Sequence, residues 1–170
     1  MSAARAKGEA RSGNAEKSAA RLAAVQALYQ MELTGADAES VVQEFCEHRF
    51  TDNGDASISE VGSDCFREIV RGVPRNQLEI DQAVAKGLSK DWKLQRIDSI
   101  LRAILRAGIY ELIDRPDVPA KAVIDEYVEI AHAFFEGEEP AFVNALLDRV
   151  AHEKRAAEFG QPIPHDELKF

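Results

Sequence analysis

The stretch ILRAGIYEL, Ile104 to Leu112, limits the folds open to this chain more than any other. Coiled as a helix, it is apolar almost all the way round, although Arg106 and Glu111 lie within it. A helix that is hydrophobic on every side has to be surrounded by others. The expectation is therefore a bundle of helices around a central one, and 170 residues suffice to build such a core without metal or disulfide support. One domain of ordinary size is expected.

The rest of the chain reads as helix after helix, with no convincing strand. From Ser18 to Thr34, Leu22, Val25, Leu28, Tyr29 and Leu33 recur at three- and four-residue steps, and Gly35 has the character of a helix stop. A shorter pattern carries Val41, Val42, Phe45 and Phe50, and TDNGDASIS then reads as a loop. Ser59 and Glu60 open a third helix through Cys65, Phe66, Ile69 and Val70 to Gly72, where Pro74 predicts a kink or a restart. A fourth helix carries Leu78, Ile80, Asp81, Val84 and Leu88.

The central helix follows, with Ser89 or Asp91 placed to cap it. Gly108 inside it costs about 1 kcal/mol against alanine, which predicts close approach of a neighbouring helix. Pro119 suits the start of the next helix, whose stripe is Val123, Ile124, Tyr127, Val128, Ala131, Phe134 and Phe135. Pro140 opens the last, with Val143, Leu146, Leu147 and Val150 facing inward. About seven helical pieces with short connections predict an all-α fold. The expected organisation is a basic, disordered N-terminal tail over 1–17, a helical domain over 18–157 and a flexible C-terminal tail over 158–170.

Several function classes find no support. There is no apolar run long enough to span a membrane, and the Ala/Arg/Ser-rich N-terminus carries Glu9 and Glu16 and lacks the apolar segment of a targeting peptide. HDEL at His165 to Leu168 is followed by Lys169 and Phe170, so it is not a terminal retention signal. A cytoplasmic protein is expected. The glycine-rich phosphate loops, the HExxH zinc motif and the GxSxG nucleophile elbow are absent. Cys46 and Cys65 lack metal-site spacing and read as reduced thiols. His48, His132, His152 and His165 are not at ligand spacing, and Asp125, Glu126 and Glu129 read as the solvated side of a helix. No catalytic residue, metal or cofactor is expected.

Charge is unevenly distributed. Residues 1–21 hold Arg5, Lys7, Arg11, Lys17 and Arg21 against Glu9 and Glu16, a net of +3, so the remainder carries −12 of the chain's total of −9. A body of that sign repels a polyphosphate, and tight RNA binding would need a local patch or a basic partner.

Three separated segments, RLAAVQALYQMELTG, ILRAGIYELIDRPDVPAKAVIDEYVEIA and FVNALLDRVA, resemble the NusB family of bacterial transcription antitermination factors in order and spacing, over about Ser18 to Ala151. The resemblance implies two packed helical subdomains. It also implies binding of the boxA element of ribosomal RNA leader transcripts together with NusE, a small-subunit ribosomal protein, and delivery to the RNA polymerase elongation complex. A basic ribosomal protein would supply the cations that an acidic body lacks. The resemblance leaves self-association as a homodimer open.

Carried over by residue, the resemblance assigns RNA contact to Lys17, Arg21, Gln26, Tyr29, Phe142 and Asn144, and Arg102 joins these candidates through its place on a helix face. Family members commonly carry an arginine-rich run at the start of the first helix; here KSAAR leaves Lys17 and Arg21 separated by a serine and alanines. Arg5, Lys7 and Arg11 can compensate by loose electrostatic contact or serve only as a solubilising tail. Gln26 can read a base edge, whereas Tyr29 can stack on a base or complete the core stripe. Phe142 is open to the same two uses. Arg102 and Arg106, four apart, suit a phosphate or an acidic partner, while Asp98 offers Arg102 an ordinary helical ion pair. Two other readings remain: a helical protein-binding scaffold without RNA contact, and the NusB-like RNA-recognition domain of an rRNA cytosine methyltransferase. The latter would need a cofactor-binding domain for which the chain leaves no room after Phe170.

Overall fold

A computed structural model describes the backbone of residues 2–49, 60–88 and 97–160, and the side chains of 15–48, 62–88 and 97–160. Among these residues there are seven α-helices and no strand, the all-α class that the periodicity predicts. The chain divides into two compact units, Met1–Arg75 and Asn76–Phe170.

The first unit comprises α1 (Ser2–Thr34), α2 (Ala38–Glu44), a π-helical turn (Phe45–Arg49) and α3 (Glu60–Arg75). Its main packing is of α1 on α3. On α1 the buried side is lined by Ala20, Ala24 and Ala27 with Val25 and Leu28, and α3 meets it with Cys65, Phe66, Ile69, Val70 and Val73. The ring of Phe66 stacks on Phe45 with centroids 5.1 Å apart. Gly35 ends α1 as expected: its φ is +73°, a conformation glycine adopts without steric cost, and its amide donates to the Met31 carbonyl at 2.9 Å. Asp37 caps α2 by accepting from the Ser40 amide at 2.7 Å.

Two features differ from expectation. The backbone of α1 is helical from Ser2, upstream of the Ser18 start that apolar spacing indicates. Nor does Pro74 interrupt α3, which continues to Arg75. The ring leaves the Val70 carbonyl without an amide donor from position 74, and the chain turns at Asn76, two residues on. Phe50 and the loop to Ser59 lie outside the described residues.

The second unit comprises α4 (Gln77–Gly87), α5 (Ser99–Asp114), α6 (Ala120–Phe134), α7 (Glu139–Lys154) and a 3₁₀ turn (Ala156–Phe159). Here α5 is the enclosed helix, packed against α4, α6 and α7 and buried from Leu101 to Leu105 and from Ala107 to Leu112. Gly108 has the close neighbours that its propensity cost predicts. A Cβ at that position would stand 3.0 Å from both Leu147 methyls and 3.3 Å from the Tyr127 ring. The cap of α5 is Asp98, whose carboxylate accepts from Ile100 N at 2.8 Å; Ser89 and Asp91 lie outside the described residues. Leu78 is 77 % exposed at the start of α4.

Two arginines knit this unit. Arg106 forms a two-pronged pair with Asp81 at 2.9 and 3.1 Å, joining α5 to α4. Arg155, just after α7, is buried and donates to the carbonyls of Glu111 at 2.8 Å, Leu112 at 2.9 Å, Arg115 at 2.5 Å and Val118. It thereby ties the end of α5, at Glu111 and Leu112, to the turn that follows, at Arg115 and Val118; carbonyls at a helix end need such donors from outside the helix. Glu158 accepts from the Ala120 amide at 3.2 Å at the start of α6, and Phe159 stacks on His152 with ring centroids 4.0 Å apart. The described fold therefore reaches two residues beyond the 157 boundary expected from the sequence, and residues 161–170, including HDEL, lie outside the described residues. No described helix is long and apolar enough to cross a membrane.

Candidate nucleic-acid interface

The candidate RNA-contacting residues fall in both units, four on α1 and three in the second unit. At 3.6 residues per turn, Lys17 and Gln26 are about 180° apart on α1, whereas Gln26 and Tyr29 are separated by about 60°. Lys17 and Arg21 belong to the side lined by the buried alanines. Lys17 is half-buried and Arg21 is only 5 % exposed. Leu22, Gln26, Tyr29 and Leu33 share the other side; the first three are half-buried and Leu33 is 61 % exposed. Tyr29 thus lies outside the buried core stripe to which periodicity also fitted it.

In the second unit, Arg102 is 8 % exposed. It folds back over the start of α5, donating to the Ile97 carbonyl at 3.0 Å and the Ser99 hydroxyl at 3.3 Å. Asp98, the expected ion-pair partner of Arg102, turns its carboxylate to the backbone as the cap of α5. On α7, Phe142 is half-buried and Asn144 is exposed. Asn144, Asp148 and His152 follow one another at four-residue steps, and Asp148 lies 3.5 Å from the His152 imidazole. Glu136, Glu138 and Glu139 precede Phe142.

Chemically, this set offers aromatic rings and amides rather than charge. Tyr29 and Phe142 retain exposed ring surface to stack on bases, and Gln26 and Asn144 carry the donors and acceptors that read a base edge. Of the three candidate cations, only Lys17 is not buried. The carboxylates before Phe142 add repulsion to a phosphate chain approaching that helix start.

Strong ion pairs elsewhere serve the fold. Arg71 holds Glu39 at 2.7 and 2.9 Å, and this hydrogen-bonded pairing lowers the Glu39 pKa below its ordinary 4.5. Among the described residues no group of three or more His, Cys, Asp or Glu could hold a metal, and Cys46 and Cys65 are free thiols. Sequence reasoning missed Arg155. Its one signal is a cation just past the last apolar position of a helix, where such groups bond terminal carbonyls.

A profile of the NusB family matches residues 18–152. A transcription antitermination protein NusB of Maricaulis maris is 52 % identical over 142 residues, covering 83 % of this chain and 89 % of that protein. The protein of the same name from Caulobacter vibrioides is 51 % identical over 140 residues, 82 % of this chain and 94 % of its own. Among solved structures, T. maritima NusB superposes with a TM-score of 0.73 at 31 % identity, covering 85 % of this chain and 96 % of that one. NusB in a crystal structure of the antitermination factors NusB and NusE with double-stranded RNA gives 0.64 at 25 % identity, covering 80 % and 96 %. With a profile that spans nearly all of the described helical body, and relatives identical at about half their aligned positions, this chain belongs to the NusB family of transcription antitermination proteins.

Proposed function

We propose that this chain is an antitermination adaptor that captures boxA-type RNA of ribosomal leader transcripts jointly with the ribosomal protein NusE and presents it to the RNA polymerase elongation complex. The observation that carries this reading is the likeness, along most of the helical body, to a NusB that stands with NusE and RNA in a solved assembly. The charge balance supports it independently. A body at −12 outside its first 21 residues gains a cationic RNA surface most simply from a basic companion. Lys17, Gln26 and Tyr29 on α1, and Phe142 and Asn144 on α7, are the side chains left to touch bases and backbone. Arg21 is buried in the first unit, and Arg102 is bonded to the start of α5. The action is assembly rather than catalysis, and its place is the cytoplasm.

Sedimentation of the chain mixed with NusE and a boxA RNA tests the proposal. A single species containing all three is expected, and sedimentation of the RNA apart from both proteins would overturn it. One observation favours a second reading, a protein scaffold without RNA contact: two of the three expected cations are buried. A two-protein species from which RNA is excluded would establish that reading instead.

A further inference from the structure

The Gln30 side-chain amide donates from Nε2 to Glu44 Oε2 at 3.0 Å, tying α1 to α2 at an exposed place in the first unit. Gln30 stands about 40° from Gln26 and about 100° from Tyr29 around α1. The bond therefore brings a carboxylate to the margin of the helix side that carries both of those residues. Gln30 is half-buried and Glu44 is exposed. Both ends of the bond are held from behind. Thr34 Oγ1 donates to the Gln30 carbonyl at 2.8 Å, and Phe45, next to Glu44, is fully buried and stacked on Phe66. Among the described residues, Glu44 Oε1 has no hydrogen-bond partner.

A carboxylate beside an RNA chain repels its phosphates, so Glu44 can aid recognition only through a base edge. Unlike the amides of Gln26 and Gln30, an ionised carboxylate accepts hydrogen bonds and never donates them. Unpaired bases differ in what they bring to such a group along the Watson–Crick edge. Guanine sets its N1–H and N2–H donors side by side, spaced for two oxygens. Adenine and cytosine set one amino donor beside a ring-nitrogen acceptor, and uracil sets one N–H between two carbonyls. With these three bases the second oxygen meets an acceptor and is repelled. We infer that Glu44 is a specificity-determining residue of the RNA surface, selecting guanine at one position by accepting from its N1–H and N2–H groups. Gln30 is its positioning residue, and its bond leaves Glu44 Oε2 a further lone pair for the base. The inference rests on the RNA-binding reading above and names the base chemistry that the α1 side prefers.

The test is fluorescence anisotropy with labelled boxA RNA in the presence of NusE, comparing the unaltered chain with Glu44→Gln. Each guanine of the RNA is replaced in turn by inosine, which keeps N1–H and lacks the 2-amino group. Glu44→Gln is isosteric, keeps an acceptor for Gln30 and sits at an exposed position, so the variant folds as the unaltered chain does. For the unaltered chain, inosine at one position should weaken binding about 10-fold. For Glu44→Gln the same replacement should cost no more than about 2-fold, the ordinary spread between uncoupled sites. Equal losses in the two chains would overturn this inference alone, as would indifference of the unaltered chain to every inosine while it still binds. Tighter binding of all the RNAs by Glu44→Gln, with the guanine-to-inosine ratios unchanged, would show that the carboxylate only repels phosphate, and would also overturn it. Failure of the unaltered chain to bind any of these RNAs would remove the RNA-binding reading and this inference together.

Discussion

The Tyr127 hydroxyl donates to Glu111 Oε2 at 2.5 Å inside the second unit, fixing a carboxylate that is only 2 % exposed between α5 and α6. The pair explains how an acid is tolerated in the most apolar helix of the chain: a buried carboxylate needs donors, and α6 brings one to it. Replacing Tyr127 with Phe removes that donor and keeps the ring. We expect a loss of about 1 to 3 kcal/mol in urea unfolding. A stability equal to the unaltered chain would show that the hydrogen bond contributes nothing.

The same ring limits what Gly108 can become. Gly108→Ala would bring a methyl to 3.0 Å from Leu147 and 3.3 Å from Tyr127. Both neighbours are fully buried, and Tyr127 is held by Glu111. The clash, worth about 1 to 3 kcal/mol, outweighs a propensity gain of about 1 kcal/mol, so the variant should melt at lower temperature. Combining it with Leu147→Val should recover part of the loss.

Arg106 separates structural charge from RNA contact. Its pair with Asp81 is mostly shielded, with the two side chains 16 % and 25 % exposed. Arg106→Ala should cost about 1 to 3 kcal/mol of stability, between the surface and the buried cases. RNA affinity measured well below the melting temperature should stay unchanged. A loss of affinity without a loss of stability would instead place Arg106 at the RNA.

Acid should loosen the first unit through Asp37 and Glu39. The Asp37 carboxylate is held below its ordinary 3.8 chiefly by the Ser40 amide, and Glu39 below 4.5 chiefly by its hydrogen bonds from Arg71. Groups whose folded pKa is lowered stabilise the fold fully above their ordinary values, and that contribution is lost as pH falls through the folded ones. Stability should therefore decline below about pH 4.5. An Asp37→Asn, Glu39→Gln double variant should show a shallower decline when unfolding is followed across that range.

The fold was largely legible because apolar residues on α5, α6 and α7 repeat at helical spacing and are large enough to signal burial. The first unit was harder to read. The buried side of α1 is built of Ala20, Ala24 and Ala27, which scarcely register in a hydrophobic pattern, so Leu22, Tyr29 and Leu33 drew attention to the wrong side. Correcting the face puts Arg21 inside and turns Tyr29 away from the core stripe. Helix boundaries depend on single hydrogen bonds, and neither the Asp98 cap nor the continuation through Pro74 is encoded in periodicity. The RNA contacts proposed for Phe142 and Asn144 came from family resemblance, since one half-buried aromatic and one exposed amide carry no signal of their own.

Base contact by the outer side of α1 predicts that Tyr29→Ala weakens RNA binding in the presence of NusE by about 1 to 3 kcal/mol, the worth of one stacked base. Tyr29→Phe should retain most of the affinity, because the ring and not the hydroxyl does the stacking.

The most direct test of the whole account is the affinity of a boxA RNA for the purified chain alone and with saturating NusE, at one fixed salt concentration near physiological. Binding should be feeble for the chain alone and firm and salt-sensitive in company, since the acidic body depends on its companion for positive charge. Equal affinity in the two conditions, whether tight or absent, would contradict it.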